Sequence, residues 1–490
     1  MFLARLLVLF SLVCISCAHS SFEQKQLKHA LDFATSNRLE LEILLQHYTY
    51  DSLKLEAAKF LIRNMPHCYS YQQGGEMDSV KRVRTYYSPF GQIDQTYARR
   101  WGHYTYRNLL KIYDAHIITA EYLIDNIDRA FDNWQKRPWN RSLSFEDFCE
   151  YLLPYRIGDE PLEEWRELYE KKYGYLLDSI YKGSDVVEAA NLVSRHLQEP
   201  VFIYCEDFEL PHIGPRYLFS HRYGSCVDAA DIVTYAFRAV GIPCMEDTDA
   251  RGGHVWNVVR DTTESDVPIW YIASEAVRGS RDTGGYKRGK VYRPMYGFQE
   301  EKAAHLGDDW KSMPLLFYHP YMKDVSYAYY PDTLRILTGI PDGEVCYLAH
   351  FHEAHWWSCA CARSASGKME IPNLESELVY LPMKYTKGNY YPSGFPFWFA
   401  GGEINTFLPD WEKTVKVRLY RKYPVYGWLR SFMGHVVGGT FEGSMTKDFE
   451  DGKTLYEIAD TPVIARNRIF LNKPVKCRYI RYKADNDKCA

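Results

Sequence analysis

The side chains best placed to do covalent chemistry fall in one stretch of the 490-residue chain. It reads Arg222-Tyr223-Gly224-Ser225-Cys226-Val227-Asp228-Ala229-Ala230, continues helically to Ala239-Val240 and stops at Gly241-Ile242-Pro243. Gly224 and Ser225 turn the chain and cap the helix, which places Cys226 at or near its first turn. A thiol there lies beside unpaired amides and the positive end of the helix dipole, and both favour thiolate. Downstream, Gly252-Gly253-His254-Val255-Trp256-Asn257-Val258-Val259 reads as a strand with His254 at its head. Asp261 to Asp266 makes a polar turn, and Ile269 to Glu275 reads as the neighbouring strand coming back. A cysteine hydrolase needs a thiolate at a helix start, an imidazole to exchange its proton, and an acidic or amide group to orient that imidazole. Cys226, His254 and Glu275 supply these in order, with Ser274 and Asp266 as alternatives for the third role. Glu275 is the only carboxylate in the return run and lies at its His254 end if the two strands pair antiparallel. The choice rests on a strand register.

The run from Gly224 to Ala230, the helix exit Arg238-Ala239-Val240-Gly241-Ile242-Pro243 and Gly253-His254-Val255-Trp256-Asn257 together resemble the transglutaminase-like superfamily over roughly Tyr204 to Glu275. The resemblance implies a papain-like core, a cysteine that forms a thioester, a histidine acid/base and, usually, an aspartate that completes the triad. Cys226 and His254 match the first two roles. Glu275, and its longer spacing from the histidine, departs from the pattern. The implied reaction is hydrolysis or acyl transfer at an amide of a peptide, protein or glycopeptide, with no cofactor and no metal. The flanks resemble large envelope lipoproteins of gut Bacteroidetes in Arg63-Asn64-Met65-Pro66, Phe148 to Arg156 and Lys290-Val291-Tyr292-Arg293. At the C-terminal end, Gly438 to Ser444 and Arg478-Tyr479-Ile480-Arg481-Tyr482 resemble pieces of a discoidin-like β-sandwich, a class that often binds sugars, here incomplete by about one strand.

The elements around the site divide the chain into an α+β multidomain protein. Residues 1–17 read as a signal peptide, with Arg5 followed by the apolar run Leu6 to Val13. Cys14-Ile15-Ser16-Cys17 resembles a lipobox with Cys17 lipidated, which predicts an exported bacterial envelope lipoprotein of the outer membrane that partitions with membranes; Ser16-Cys17-Ala18 offers ordinary cleavage instead. Residues 18–200 read as an all-α region. Asn37 and Glu40 form a capping-box-like start, Asp51 caps a helix carrying Leu53, Ala57, Phe60 and Leu61, and Ala120, Ile124, Ile127 and Phe131 share one helix face. Ser144 opens a further helix, and Leu162, Trp165 and Tyr169 mark another apolar stripe. Residues 201–300 form the site-bearing core and 301–425 a β-sandwich, beginning at Val325 to Tyr330, with strands at Val345 to Phe351, Leu378 to Leu381 and Thr414 to Tyr420. Residues 426–490 make the discoidin-like segment.

Acidic and basic residues nearly cancel, 63 against 59, so no overall field attracts nucleic acid or an anionic surface. Membrane attachment is expected only through the Cys17 lipid. An aromatic share of 16% fits either large cores or glycan binding by the β-rich half, the rival to catalysis. Twelve scattered cysteines do not make a disulfide scaffold at this length. Cys359 and Cys361 point to one face of a strand, against a bridge between them, while Cys477 and Cys489 flank a hairpin-like stretch and could pair. Gly284 to Lys290 has phosphate-loop spacing, but Val291 replaces the metal-binding hydroxyl and a strand follows, so this reading is rejected. His350, His352 and His355 with Glu353 are metal-like in type, yet strand alternation groups only the first two. Asn140-Arg141-Ser142 is a glycosylation sequon in form only.

Overall fold

The structure, a computed structural model, describes residues 22–83, 105–204, 210–251, 253–262, 266–272, 274–279, 287–299, 313–337, 340–352, 355–413, 416, 434, 436–462, 467–471 and 473–484. The signal peptide with Cys17, nearly all of the Thr414 to Tyr420 strand, Glu353 and Cys489 lie outside them.

Helix α1 (Arg38–His47) begins after Asn37, but Asn37 and Glu40 do not close a capping box. The Asn37 amide donates to the Ala115 and Ile118 carbonyls, and Glu40 accepts from the Ala120 amide. Both polar side chains therefore fasten α1 to the start of a later helix. Helix α2 (Ser52–Asn64) is capped by Asp51, which accepts from the Lys54 amide. It buries Ala57, Phe60 and Leu61, while Leu53 is exposed. The region is not all-α: β1 (Tyr69–Tyr71) pairs antiparallel with β2 (Lys111–Tyr113). These short runs are rich in the aromatic and β-branched residues that strands accept. Helix α3 (Ala120–Lys136), capped by Thr119, buries Ala120, Leu123, Ile127 and Phe131. Ser144 caps α4 (Phe145–Tyr151) as its sequence signal predicts. Helices α5 (Arg166–Tyr175) and α6 (Val186–His196) follow.

The site-bearing elements come next in the chain. Strand β3 (Ile203–Tyr204), helix α7 (Pro215–Ser220) and strand β4 (Tyr223–Gly224) lead into helix α8 (Cys226–Val240). A sheet of order β7-β6-β5-β8-β9 packs against it, built from β5 (Cys244–Asp249), β6 (Val255–Val259), β7 (Val267–Ile269), β8 (Val291–Pro294) and β9 (Met322–Asp324). Every residue of α8 from Asp228 onward is buried. Its Ile232, Val233, Ala236 and Phe237 share one core with Tyr169, Tyr173 and Val193 of the helical region and Val259 and Ile269 of the sheet. The helical and central segments thus fold around common apolar surface, burial that supplies most of the driving force.

The stretch from Val325 to Tyr330 is not a strand. It contains a 3-10 turn at Ser326–Ala328, held where the Ser326 hydroxyl donates to the Val291 carbonyl and accepts from the Val291 amide. Beyond it lie β10 (Leu334–Leu337), β11 (Val345–His352), β12 (His355–Arg363), β13 (Lys368–Ile371), β14 (Leu378–Thr386), β15 (Asn389–Pro392), β16 (Phe397–Ala400) and β17 (Glu403–Thr406). Strands β12-β11-β14-β16-β17 form one sheet with β15 beside β14, and β10 pairs with β13. Leu334 and Ile371 of the ribbon share a core with Leu348, Tyr380 and Phe399 of the larger sheet.

The chain divides into two compact units, Met1–Leu408 and Pro409–Ala490. The second contains a three-stranded antiparallel sheet in which β18 (Thr440–Ser444) lies between β19 (Lys453–Glu457) and β20 (Tyr479–Lys483). No helix among the described residues is long and apolar enough to cross a membrane.

Candidate functional site

Ser225 is the extended N-cap of α8, and Cys226 is the first helical residue, half-buried. The Asp228 carboxylate turns back to accept from the Ser225 amide at 2.8 Å. A β-carbon on Gly224 would sit 2.3 Å from the Asp228 carboxylate oxygen, so this cap needs glycine there. At the other end Gly241 takes the left-handed conformation, φ 81°, as a C-terminal glycine commonly does. Its carbonyl accepts from Trp139 and Asn140, which pins the helix exit to the helical region.

The second wall is the β5–β6 hairpin. Its register runs from Cys244 opposite Val259 to Thr248 opposite Val255, and His254 immediately precedes β6. Asp249 is buried and accepts from the Arg251 and Gly253 amides at 3.0 and 2.9 Å, an Asx-type arrangement that shapes the turn. The His254 carbonyl accepts from the Thr248 hydroxyl. Its ring lies 5.9 Å from Trp256 and 5.6 Å from Tyr271, centroid to centroid.

Polar contacts tie this strand to the cysteine helix. The Asn257 amide donates to the Ala230 carbonyl and to the Thr234 hydroxyl at 3.0 and 2.9 Å, and the Thr234 hydroxyl donates onward to Glu246 on β5. Tyr204 completes the link. It pairs with Gly224 in the parallel β3–β4 ladder, and burial, with the neighbouring Cys226 and Tyr271, pushes its hydroxyl up to about 12. Tyr204 and Tyr271 both remain partly exposed. Tyr204 thus feels both Cys226 and Tyr271, and the Tyr271 ring lies beside that of His254.

Burial, followed by the Arg288 guanidinium, pulls the His254 ring below its ordinary value; Asp249 and a backbone hydrogen bond with Trp270 pull the other way. Arg288 stacks over Trp256 and Trp270 at 4.6 and 5.2 Å. The His254 Nε2 is buried without a hydrogen-bond partner among the described residues. A ring kept neutral near pH 7 with one nitrogen uncommitted is able to accept a thiol proton.

Glu275 is not the third member. Its carboxylate is exposed and pairs with Arg195 of α6 at 3.3 Å. The cause is register: β7 is Val267–Ile269, set with Asn257 opposite Ile269. The return strand thus starts earlier than the sequence predicts and ends before Trp270, and position 272, not 275, reaches the level of His254. The alternatives fail too, because Asp266 is held by Arg260, Arg293 and Tyr151, and Ser274 bonds the Tyr271 backbone. Trp270 supplies a backbone partner to the imidazole instead. Sequence reasoning missed Tyr204, Trp270, Tyr271 and Asp249. Only Asp249 carried a signal, an acidic residue just ahead of the Arg251-Gly252-Gly253 turn.

The remaining site-like features lie apart from this constellation. His350 is buried with both ring nitrogens unpartnered among the described residues, the Arg251 guanidinium meets His352 Nδ1 at 2.8 Å, and His355 is exposed at the start of β12. No group of His, Cys, Asp or Glu among the described residues is placed to hold a metal ion. Lys290 of the phosphate-loop-like sequence pairs with Asp324. A cavity of about 1100 Å³ is lined by Phe60, Cys149, Tyr292 and Phe317 and includes neither Cys226 nor His254; burial pushes the Cys149 thiol up, away from the thiolate form. Comparison with family models, curated proteins and solved structures returns no match for the chain.

Proposed function

We propose that this protein is a transglutaminase-like, papain-like thiol hydrolase or acyl transferase acting on an amide of a peptide, protein or glycopeptide. The observation that carries the reading is a half-buried cysteine at the first turn of a capped helix, bonded through Asn257 to the strand headed by a histidine with an uncommitted Nε2. In the proposed reaction His254 takes the Cys226 thiol proton while the sulfur bonds to the substrate carbonyl carbon. The backbone amide at Cys226 helps hold the oxyanion. His254 then returns the proton to the leaving amine as the C–N bond breaks, leaving a thioester that water or a second amine resolves. The Trp270 backbone, rather than a carboxylate, orients the ring. The sequence-based expectation of envelope export and a Cys17 lipid anchor belongs to the same proposal.

Alkylation by iodoacetamide, read by peptide mass spectrometry, tests the pair. Cys226 is expected to label fast near neutral pH and about 100-fold more slowly in His254→Ala, the scale of positioned acid–base help. A labelling rate indifferent to His254 supports instead an inert scaffold whose β-rich half binds glycan. The partly exposed Trp357, Tyr391 and Trp398 rings favour that second reading, and a glycan array measures it.

A further inference from the structure

Arg222 stands four residues before Cys226, and it is held in place rather than loose. Its carbonyl accepts from the Ile203 amide at 2.8 Å, and its side chain is only 4% exposed. One guanidinium nitrogen, Nη2, donates to the Tyr173 hydroxyl at 3.0 Å. The other two, Nε and Nη1, are buried without a hydrogen-bond partner among the described residues. Other buried arginines in this chain are satisfied by carboxylates, as Arg156 meets Asp114 and Arg293 meets Asp247, or by several carbonyl oxygens, as Arg166 meets those of Leu152, Leu153 and Pro154. Arg222 meets a second cation. The Lys172 amine lies 5.3 Å from the centroid of the same Tyr173 ring and 4.7 Å from that of Phe219, and burial with the Arg222 charge lowers its affinity for a proton. Carboxylates of α5 and its approach are engaged elsewhere: Glu170 by Arg129 and Asn133, Glu163 by the Arg216 amide.

An isolated buried charge beside a like charge is unfavourable unless something of opposite sign joins it. Guanidinium recognises carboxylate and phosphate oxygens better than other groups do. We propose that Arg222, with partly exposed Lys172 at the rim, forms an oxyanion-binding site for a carboxylate or phosphate group. The site stands independently of the acyl-transfer reading, because its evidence is an unpaired guanidinium and its test is binding.

The test is thermal unfolding of the full chain in increasing inorganic phosphate or N-acetylglycine, with chloride balancing ionic strength. At least one is expected to raise Tm saturably by about 2 °C, and which one does so identifies the oxyanion class. Arg222→Met is expected to abolish the response while leaving the anion-free Tm equal to or above that of the parent, since it removes an uncompensated charge. Lys172→Gln, on a partly exposed side chain, is expected to weaken the apparent affinity about tenfold. No saturable response to either anion, or an undiminished response in Arg222→Met, overturns the proposal. Should Arg222→Met not fold, an unchanged affinity in Lys172→Gln overturns it equally.

Discussion

Two histidines bear on helix α8, and the chain treats them in opposite ways. His212 points its Nδ1 at Asp231, 2.9 Å away and fully buried on the helix. Burial opposes its charge, but the Asp231 carboxylate prevails and holds the ring well above its ordinary value. His254 has no carboxylate in hydrogen-bond contact among the described residues, and burial with Arg288 pulls it down. On the proposed reading the histidine–carboxylate pair is the structural one. An imidazolium held charged cannot accept a thiol proton, whereas a neutral ring with an uncommitted nitrogen can. Looking for a carboxylate beside a histidine finds His212 in this fold, not the ring of the proposed site.

The sharpest way to break this contrast is Asp231→Asn, which leaves a buried histidine without its counter-charge and is expected to cost about 3 kcal/mol in chemical denaturation. The sign with pH follows from the raised His212 value. Its stabilising contribution is complete below the unfolded value near 6.5 and fades as pH rises through the raised folded value, so the deficit of the variant is largest in mildly acidic solution. Labelling of Cys226 is expected to persist in the folded variant; if it vanishes with Asp231, the division of roles between the two histidines fails.

Glu246 tests the same buried network from the sheet side. Burial, then the Asp231 charge, pushes its carboxyl up to about 8. A folded value above the unfolded one means that stability present in acid is lost as pH rises through about 8. Glu246→Gln keeps an acceptor for Thr234 and removes the titration, so its stability curve is expected to be flatter, with a gain of about 2 kcal/mol near pH 9.

A smaller effect is expected from Gly224→Ala. The added methyl displaces Asp228 from the α8 cap and costs about 1 kcal/mol, with slower Cys226 alkylation as the accompanying sign that the cap positions the thiol. Glu275→Ala is expected to do least. Its exposed pair with Arg195 is worth under about 0.5 kcal/mol, and the labelling rate is expected to stay unchanged. A marked loss of labelling in that variant would restore Glu275 as a member of the site.

Local physics made half of the site legible in the amino-acid order. Gly224 and Ser225 stop one path and begin another, Asp228 satisfies the cap, and Gly241 ends the helix in the one backbone region that favours glycine, so Cys226 stands at a helix start whatever packs around it. The caps at Asp51, Thr119 and Ser144 follow from equally local bonds. What orients His254 was not legible. Alternation along a strand assigns faces, but it does not fix the offset between two strands. That offset arises from the core that β6, β7 and α8 share, and it brings Trp270 rather than Glu275 to the imidazole. Nor does sequence separation reveal that Asn257 would reach Thr234, or that Tyr204 would pair with Gly224 ahead of the cysteine helix. The sequence by itself determined the thiol at the helix terminus and the histidine at a strand head; tertiary packing decided their common neighbourhood and the loss of the expected carboxylate, because register and burial are properties of the assembled core and not of any one segment.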